Sequence, residues 1–290
     1  MARDLLEEDR GSQEFLRQAE ERLDMPLGRL MGKGPEADLR ATENAQPAIA
    51  FHSLALLGRV RAQGPEPEAV AGHSLGEFPG LVAAGGLEPL DALAAVRARG
   101  QAMAAAAQAG SGMIAVLGLD DATVDRVCSE VEGVVPANYN APGQVVISGS
   151  EQGLERVAPL LQEAGARRLV RLPVSAAFHS PMIAAAAKTF AADWDRIALR
   201  PLQRPQVFNA DAEVHSQPAE VRALMVGQLT GPVRWTQSVQ RLQQLGVDTF
   251  VEIGPGRTLT GLVKKIAPGA VVHNIEDVPS LSAFLQTAHA

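Results

Sequence analysis

The sequence has 290 residues, of which 46% are hydrophobic and 20% charged, values typical of a globular protein that forms its own core. The 26 basic and 33 acidic residues give a net charge of −7, which argues against general nucleic-acid binding, and the single cysteine, Cys128, excludes an internal disulfide bond. No apolar run is long enough to cross a membrane and the first residues contain no signal-peptide core, so we expect a soluble, cytoplasmic protein.

Helical patterns dominate the first hundred residues. Apolar side chains recur at helical spacing over residues 14–23, and residues 46–64 predict a more apolar helix that begins at a proline. A short strand is predicted over residues 66–71, a helix over 74–84 and another helix over 89–108. This part of the chain is therefore expected to be a strand surrounded by helices.

The pattern changes near Ser111, where short strands and helices alternate. The predicted order is strand, helix, strand, strand, helix, strand over residues 112–119, 121–131, 133–140, 144–150, 154–165 and 166–175. This βαββαβ order is the ferredoxin-like split motif. We therefore predict a ferredoxin-like inserted domain over residues 111–176, within a larger α/β domain formed by residues 1–110 and 177–290. Further strands are predicted in the second part of that domain, over residues 206–210, 248–254 and 271–275.

A tight turn of the pattern G-x-S-x-G occupies residues 72–76, between a predicted strand and a predicted helix. In this pattern the serine is exposed on the turn, and the N–H of the next residue lies at the start of the helix, where it can stabilise an oxyanion. Ser74 is therefore a candidate nucleophile and Leu75 a candidate backbone oxyanion donor. The alternative is that Gly72 and Gly76 only allow the helix and the strand to pack closely.

A serine nucleophile needs a base, and His179 is the best placed of the six histidines. It lies in the loop AAFHSP, where the insertion returns to the main domain, and a histidine on such a loop can reach across a cleft. A capping or surface role is the alternative. His52 lies inside a helix pattern, and His73 is expected to point away from Ser74 and to pack under the turn. The remaining histidines are expected to face solvent: His215, His273 and His289.

A Ser–His pair is normally oriented by a third group, which in an α/β-hydrolase is an acid between the two in the chain. Glu130 and Glu132 lie inside the inserted motif, whereas Asp193 and Asp195 follow the histidine. No suitable carboxylate is predicted, and this argues against an ordinary esterase.

Six stretches in order resemble the family of malonyl-CoA:acyl carrier protein transacylases. They are GHSLGEF (72–78), VRARGQAM (96–103), NYNAPGQVVISG (138–149), VSAAFHSPMI (174–183), GQLTGPVRWTQSV (227–239) and VEIGPGRTLTGLVKK (251–265). The resemblance runs along nearly the whole chain. It implies a hydrolase-like α/β domain that carries a ferredoxin-like insertion, in agreement with the pattern described above.

The resemblance also implies roles for individual residues. Ser74 matches the nucleophile, His179 the base, and Gln228 the residue whose backbone carbonyl replaces the acid. Arg99 matches the arginine that binds the malonyl carboxylate, and a planar, always-charged bidentate donor suits that role. Without the resemblance, Arg99 and its neighbour Arg97 would be interpreted as solvated charges on a helix, only one of which can face the cleft.

Further residues are predicted at the substrate site. Phe178 precedes the base, and in related polyketide acyltransferases a phenylalanine here accompanies malonyl selection; it is also explained as core. His73 and Asn140 complete the predicted substrate-binding set, although turn chemistry also explains Asn138 and Asn140. Five basic residues are either a patch for an acidic carrier protein or a solvated face, namely Arg167, Arg168, Arg171, Lys264 and Lys265.

The sequence departs from the family at its start. Family members begin with a strand and a loop ending in G-Q-G-S-Q, whose glutamine supplies the second oxyanion N–H. This sequence begins after that loop, and Gly11-Ser12-Gln13 is no substitute, because it lies in helical surroundings. We expect the N-terminal strand to be absent, through either a misplaced start or a truncated and impaired chain, and a missing oxyanion donor typically costs about 10²–10³ in kcat.

The resemblance implies transfer of a malonyl group from malonyl-CoA to the phosphopantetheine thiol of acyl carrier protein, through a Ser74 acyl-enzyme in fatty-acid synthesis. No bound cofactor or metal, no nucleic acid and no membrane is expected, and the protein is expected to be a monomer. Three alternatives remain: a trans-acting acyltransferase of a polyketide pathway, a serine esterase, and a non-catalytic homologue that binds the carrier.

Overall fold

A computed structural model describes residues 1–107, 109–174 and 176–288, which combine α-helices with β-sheets. The chain starts with five helices: α1 (Arg3–Glu8), α2 (Arg10–Leu23), α3 (Leu27–Lys33), α4 (Glu36–Arg40) and α5 (Thr42–Gln63). The carboxylate of Asp9 caps α2 by accepting a hydrogen bond from the N–H of Ser12. The Gly11-Ser12-Gln13 stretch thus lies in a helix.

The long helix α5 begins five residues before the proline at which it was predicted to start. Pro47 cannot donate a hydrogen bond to the carbonyl of Glu43, four residues earlier. Arg97 satisfies that carbonyl instead, because its Nη1 lies 2.6 Å from the Glu43 oxygen. A side chain that is distant in sequence therefore allows the helix to include its proline.

The segment that carries the serine turn contains a very short strand. It consists of β1 (Val70–Ala71), a single 3₁₀ turn (Ser74–Gly76), α6 (Glu77–Ala83) and α7 (Pro89–Ala105). The strand predicted over residues 66–71 is therefore too long. Only Val70 and Ala71 have partners in a sheet, opposite Gln206 and Val207.

The middle segment has the order that the sequence predicted. Its elements are β2 (Ser111–Leu117), α8 (Asp121–Ser129), β3 (Val134–Ala141), β4 (Gln144–Ser150), α9 (Glu151–Glu163) and β5 (Arg168–Arg171). The four strands form an antiparallel sheet in the order β3-β4-β2-β5. Its own apolar core includes Val116, Val124, Val145 and Ile147. The side chain of Asp120 caps α8.

The last segment packs against the first segment. After a 3₁₀ turn (Pro181–Ile183) come α10 (Ala184–Trp194), β6 (Gln206–Val207), β7 (Val214–His215), α11 (Pro218–Gly227), α12 (Trp235–Gln244), β8 (Thr249–Ile253), α13 (Thr258–Ile266), β9 (Val271–Ile275) and α14 (Val278–Ala288). The strands predicted over 206–210 and 248–254 are thus shorter in the structure, whereas the strand predicted over 271–275 has the predicted bounds.

An aromatic cluster joins the segment after the serine to the segment after His179. Phe78 of α6 contacts Trp194 of α10 at a ring distance of 5.7 Å, and Phe190 stacks on Trp194 at 5.9 Å. All three side chains are fully buried. Because aromatic burial contributes strongly to core stability, this cluster fixes the two segments relative to each other.

The strands of the first and last segments form two separate sheets. One has the order β1-β6-β7, and the other is the parallel pair β8-β9. Among the described residues, β1 pairs only with β6 and β8 only with β9, so each has an unpaired edge. Residues of β1 and β8 line one cavity of about 920 Å³. No helix of the described residues is long and apolar enough to span a membrane.

Candidate active site

The serine turn depends on a close approach that only glycine allows at one position. A Cβ atom at Gly72 would lie 2.0 Å from the carbonyl carbon of Gly76. Ser74 itself has a φ of +52°, the strained conformation expected of a nucleophile on a tight turn. Gly76, by contrast, has an ordinary φ of −62° and no atom within 4 Å of its Cβ position. The turn therefore requires the first glycine but not the second.

Asn209, which follows β6, holds both sides of this turn. Its side-chain oxygen accepts a hydrogen bond from the Ser74 N–H at 2.8 Å, and its side-chain nitrogen donates to the Gly72 carbonyl at 2.7 Å. Asn209 is fully buried. Sequence reasoning missed this residue, because nothing in its local pattern distinguishes it from an ordinary loop asparagine.

His179 contacts the serine directly. Its Nε2 lies 2.8 Å from Ser74 Oγ, and its Nδ1 lies 2.9 Å from the main-chain oxygen of Gln228. Since a carbonyl only accepts hydrogen bonds, Nδ1 carries the proton and Nε2 is free to accept one from the serine hydroxyl. His179 has a φ of +55°, and the preceding carbonyl of Phe178 accepts a hydrogen bond from Ser148 Oγ at 2.5 Å. The imidazole ring is thus oriented to act as a general base toward Ser74.

The environment of His179 keeps the imidazole neutral. Burial lowers the pKa of His179 to about 3, and the charge of Arg99 acts in the same direction. The hydrogen bond to Gln228 opposes these effects only in part. At neutral pH the unprotonated ring is therefore available to take a proton from Ser74.

Arg99 is buried beside the nucleophile rather than exposed on its helix. It donates to Ser74 Oγ at 3.0 Å, to Gln228 Oε1 at 2.8 Å and to Gln46 Oε1 at 2.6 Å. Burial lowers the pKa of Arg99 to about 10, so the group stays charged at neutral pH. Arg97 instead donates to the Glu43 carbonyl and to the Asn44 side chain. A permanent positive charge with a planar donor face thus lies within reach of any group on the serine oxygen.

Gln228 contributes more than the carbonyl that the sequence comparison implied. Its side chain accepts from Arg99 and donates to the main-chain oxygen of Ser74 at 2.9 Å. It also donates to the carboxyl group of Glu77. Sequence reasoning missed Gln46, Glu77 and this side chain, and the only signal for Glu77 is a carboxyl group placed directly after the serine turn.

The other predicted substrate residues surround this centre. His73 hydrogen-bonds Asn140 through Nε2 at 2.8 Å and packs edge-on against Trp235. This agrees with the expected packing under the turn. Phe178 is half-buried and contacts the cores of both the main segments and the middle segment. Asn138 is buried in β3, and its main chain is bridged to Val233.

The other histidines do not contact the serine in the part of the chain that the structure describes. His52 is buried and bonds the Glu276 carbonyl, and His215 bonds Asp211. His273 is half-buried against Phe284 rather than fully exposed as predicted, because α14 packs over β9. His289 lies outside the described residues.

The predicted basic patch is exposed. Its members are spread over the middle segment and α13: Arg167, Arg168, Arg171, Lys264 and Lys265. Arg171 pairs with Glu151, and Lys265 contacts Gln144. The described residues contain no cluster of three or more side chains suited to hold a metal ion.

Comparison with known proteins places this arrangement in a family. A model of the acyl transferase domain matches residues 1–281. The malonyl CoA-acyl carrier protein transacylase of Bacillus subtilis is 38% identical over 292 residues, which cover 99% of this chain and 92% of the relative. The corresponding enzyme of Escherichia coli K12 is 37% identical, with 94% and 90% covered.

Solved structures agree with the sequence comparison. The malonyl-CoA:acyl carrier protein transacylase of Xanthomonas oryzae has a TM-score of 0.95 at 39% identity, and the match covers 99% of this chain and 93% of that chain. A malonyl-transacylase in complex with a type II polyketide synthase acyl-carrier protein has a TM-score of 0.95 at 36% identity, with 99% and 94% covered. The chain therefore belongs to the acyl transferase family, among its malonyl-CoA:acyl carrier protein transacylases.

Proposed function

We propose that this protein transfers a malonyl group from malonyl-CoA to the phosphopantetheine thiol of an acyl carrier protein in fatty-acid synthesis. The observation that carries the proposal is the joint contact of Ser74 Oγ with His179 and Arg99, at 2.8 and 3.0 Å. In a serine–histidine pair the histidine activates the serine to form an acyl-enzyme, and the buried guanidinium beside it can bind the acyl carboxylate.

The first half-reaction loads the serine. His179 Nε2 takes the proton of Ser74 as Oγ attacks the thioester carbon, and the Leu75 N–H stabilises the oxyanion. Collapse of the tetrahedral intermediate breaks the C–S bond, and the CoA sulfur leaves with the proton that His179 held. Gln228 orients the imidazolium through its main-chain oxygen, so no carboxylate is needed beside the base.

The second half-reaction reverses these roles with a new thiol. His179 takes the proton of the phosphopantetheine thiol, whose sulfur attacks the malonyl ester on Ser74. The C–O bond breaks, and Ser74 recovers its proton from His179. Arg99 binds the malonyl carboxylate in both halves, and the ring of Phe178 beside the acyl group disfavours an α-methyl substituent.

The division of the chain follows the same proposal. Residues 1–110 and 177–290 form the hydrolase-like catalytic domain, and residues 111–176 form the ferredoxin-like insertion. The sheet order β3-β4-β2-β5 supports this, since the strands of the insertion, numbered from its own first strand, follow the order 2-3-1-4 of that motif. His73 and Asn140 bind each other across the boundary and line the substrate side of it.

We further propose that the cavity between β1 and β8 accepts an extended strand, which would join the two sheets in the order β7-β6-β1, strand, β8-β9. The unpaired edges of β1 and β8 support this, because each presents backbone groups that a parallel strand would satisfy. Asp4 accepts a hydrogen bond from the Val278 N–H at 2.7 Å, so the chain start lies near the carboxyl end of β9. A loop leaving such a strand would bring the second oxyanion N–H to Ser74.

Acyl labelling tests the proposed reaction. Incubation with radiolabelled malonyl-CoA is expected to give an acid-stable label on the peptide that contains Ser74, and the Ser74→Ala variant is expected to remain unlabelled. An absence of label on the folded wild-type protein would contradict the proposal and favour a carrier-binding role. Arg99→Ala is expected to abolish the preference for malonyl over acetyl groups, whereas an esterase would be indifferent to this change.

Two further comparisons separate the remaining alternatives. Transfer rates to a fatty-acid carrier and to a polyketide carrier distinguish the two pathways, since the chemistry is the same in both. The strand is tested by extending the chain before Met1 with an apolar strand followed by G-Q-G-S-Q, which should raise kcat by about 10²–10³. The matched control carries two prolines in the added strand, and equal rates for both extensions would contradict the strand proposal.

A further inference from the structure

Glu77 is a fully buried carboxyl group that the proposed reaction does not use. It is the first residue of α6, three positions after the nucleophile, and the residue is 1% exposed. A buried carboxyl group is costly unless hydrogen bonds and an opposite charge compensate it. The hydrogen-bond partners of this carboxyl group therefore indicate its role.

Both carboxyl oxygens of Glu77 accept hydrogen bonds from groups that position the nucleophile and the base. Oε1 accepts from the main-chain N–H of Asn209 at 2.6 Å, and Oε2 accepts from Nε2 of Gln228. Asn209 in turn holds Ser74 and Gly72 on the two sides of the turn. One carboxyl group thus connects the turn of the nucleophile to the residue that orients the base.

The orientation of the Gln228 amide follows from its neighbours. Its oxygen faces Arg99, which can only donate, and its nitrogen faces the Ser74 main-chain oxygen, which can only accept. The amide nitrogen therefore points to Glu77, and the carboxyl group is the acceptor that completes this arrangement. A single amide thus joins the Arg99 guanidinium to the Glu77 carboxyl group.

We propose that Glu77 is a positioning residue for this reaction: its carboxyl group fixes the Gln228 side chain, and through it the direction in which Arg99 presents its guanidinium to the acyl carboxylate. The inference rests on the proposed malonyl transfer. It adds a residue that acts on acyl selection through Gln228 and never touches the substrate.

Burial and hydrogen bonding act on the Glu77 carboxyl group in opposite directions. The charged or titratable groups that act on Glu77 are Arg99 from α7 and Asp211 from the loop after β6. Burial raises the pKa of Glu77 to about 8, whereas the hydrogen bonds from Asn209 and Gln228 and the charge of Arg99 act in the opposite direction. The two donors stabilise the ionised form, which therefore predominates above about pH 8.

An amide at this position makes a specific test, because it has one acceptor for two donors. In Glu77→Gln the new NH₂ faces either the Gln228 NH₂ or the Asn209 N–H, and turning Gln228 over would set its NH₂ against Arg99. Above about pH 8, where the Glu77 carboxyl group is ionised, we expect malonyl loading to fall about 10–100-fold, the range of one or two hydrogen bonds to a charged group. Acetyl loading does not use the carboxylate grip of Arg99 and should fall much less.

The experiment measures acyl-enzyme formation at Ser74 with malonyl-CoA and with acetyl-CoA, for wild type, Glu77→Gln, Gln228→Ala and the double variant. If Glu77 acts through Gln228, the Glu77→Gln effect on malonyl selection disappears in the Gln228→Ala background. Asp277→Asn is the control, since it removes a carboxylate whose hydrogen bonds go to Ser280, outside the site. Thermal unfolding confirms that each variant folds.

The outcomes separate the two proposals. If wild type is not labelled by malonyl-CoA, the proposed function fails, whatever Glu77 does. If wild type is labelled and Glu77→Gln lowers malonyl and acetyl loading equally, or changes neither, Glu77 is not a positioning residue for acyl selection. Additive effects in the double variant would likewise overturn the route through Gln228.

Discussion

At the scale of single residues, the site combines a neutral base with a charged group. His179 is neutral and Arg99 is charged, although the two contact the same serine oxygen. The low pKa of the histidine follows from burial and from the nearby guanidinium, as described above. His179 therefore stays available as a base far below neutral pH.

We expect the rate of acyl-enzyme formation at low malonyl-CoA concentration to stay nearly constant between pH 7 and pH 5. The pKa of His179 is lowered to about 3 in the free protein, so protonation removes the base only well below this range. Rapid-quench labelling at Ser74 measures the rate, and circular dichroism at each pH confirms that the protein stays folded. A decline that follows a pKa near 6.5 would show that His179 is exposed to water in solution.

The sequence predicted the residues with a local signature and missed those that only the fold brings together. Ser74 lies in a recognisable turn, and His179 in a recognisable loop. Gln46 and Asn209 reach the same centre from 53 and 135 positions away from their partners Arg99 and Ser74. Their roles depend on the approach of α5, α7 and the loop after β6, which no local pattern encodes.

At the scale of elements, the predicted strands were longer than the observed ones because a strand exists only where it has partners. The apolar residues before β1 resemble a strand, yet pairing is limited to Val70 and Ala71, since β6 offers only two residues. The predicted start of α5 was wrong because the prediction relied on local sequence alone. Arg97, from another helix, donates to the Glu43 carbonyl, for which Pro47 has no N–H. The βαββαβ segment was predicted well, since its turns and caps are local.

The two glycines of the serine turn make a matched pair for mutation. Gly72→Ala is expected to destabilise the protein by about 2–3 kcal/mol and to reduce labelling of Ser74, because the new Cβ would overlap the Gly76 carbonyl. Gly76→Ala should be nearly neutral, since its φ is ordinary and its Cβ position is open. Urea unfolding and acyl labelling measure both effects. Equal losses for the two variants would contradict the close approach at Gly72 as the reason for this turn.

At the scale of the whole molecule, stability depends on keeping buried imidazoles neutral. His52 lies in α5, where Nε2 bonds the Glu276 carbonyl at 2.7 Å and Nδ1 has no partner among the described residues. Nε2 therefore carries the proton, and protonating Nδ1 would bury an unsatisfied donor. Burial lowers the pKa of His52 below its ordinary value of 6.5, as it does for His179. Two distant parts of the core thus resist protonation in the same way.

These lowered pKa values predict how stability changes with pH. Well above pH 6.5 both histidines are neutral in the folded and unfolded states, and their contribution is fully present. As the pH falls below 6.5, the unfolded chain binds protons that the folded protein refuses, so the free energy of unfolding decreases. Each histidine contributes a slope of up to about 1.4 kcal/mol per pH unit. Glu77 opposes this between pH 4.5 and about 8, because its raised pKa makes the folded state hold a proton that the unfolded chain has lost.

The contribution of one histidine is isolated by comparing slopes. In His52→Gln the free energy of unfolding should fall less steeply between pH 6.5 and pH 5, by up to about 1.4 kcal/mol per pH unit relative to wild type. Since the amide does not titrate, this difference is unaffected by Glu77 or His179, which remain in both proteins. Urea titrations at four pH values provide the slopes, and the loss of stability from the substitution itself cancels. Parallel slopes would mean that His52 takes up its proton equally in the folded and unfolded states, and that α5 opens to water at that point.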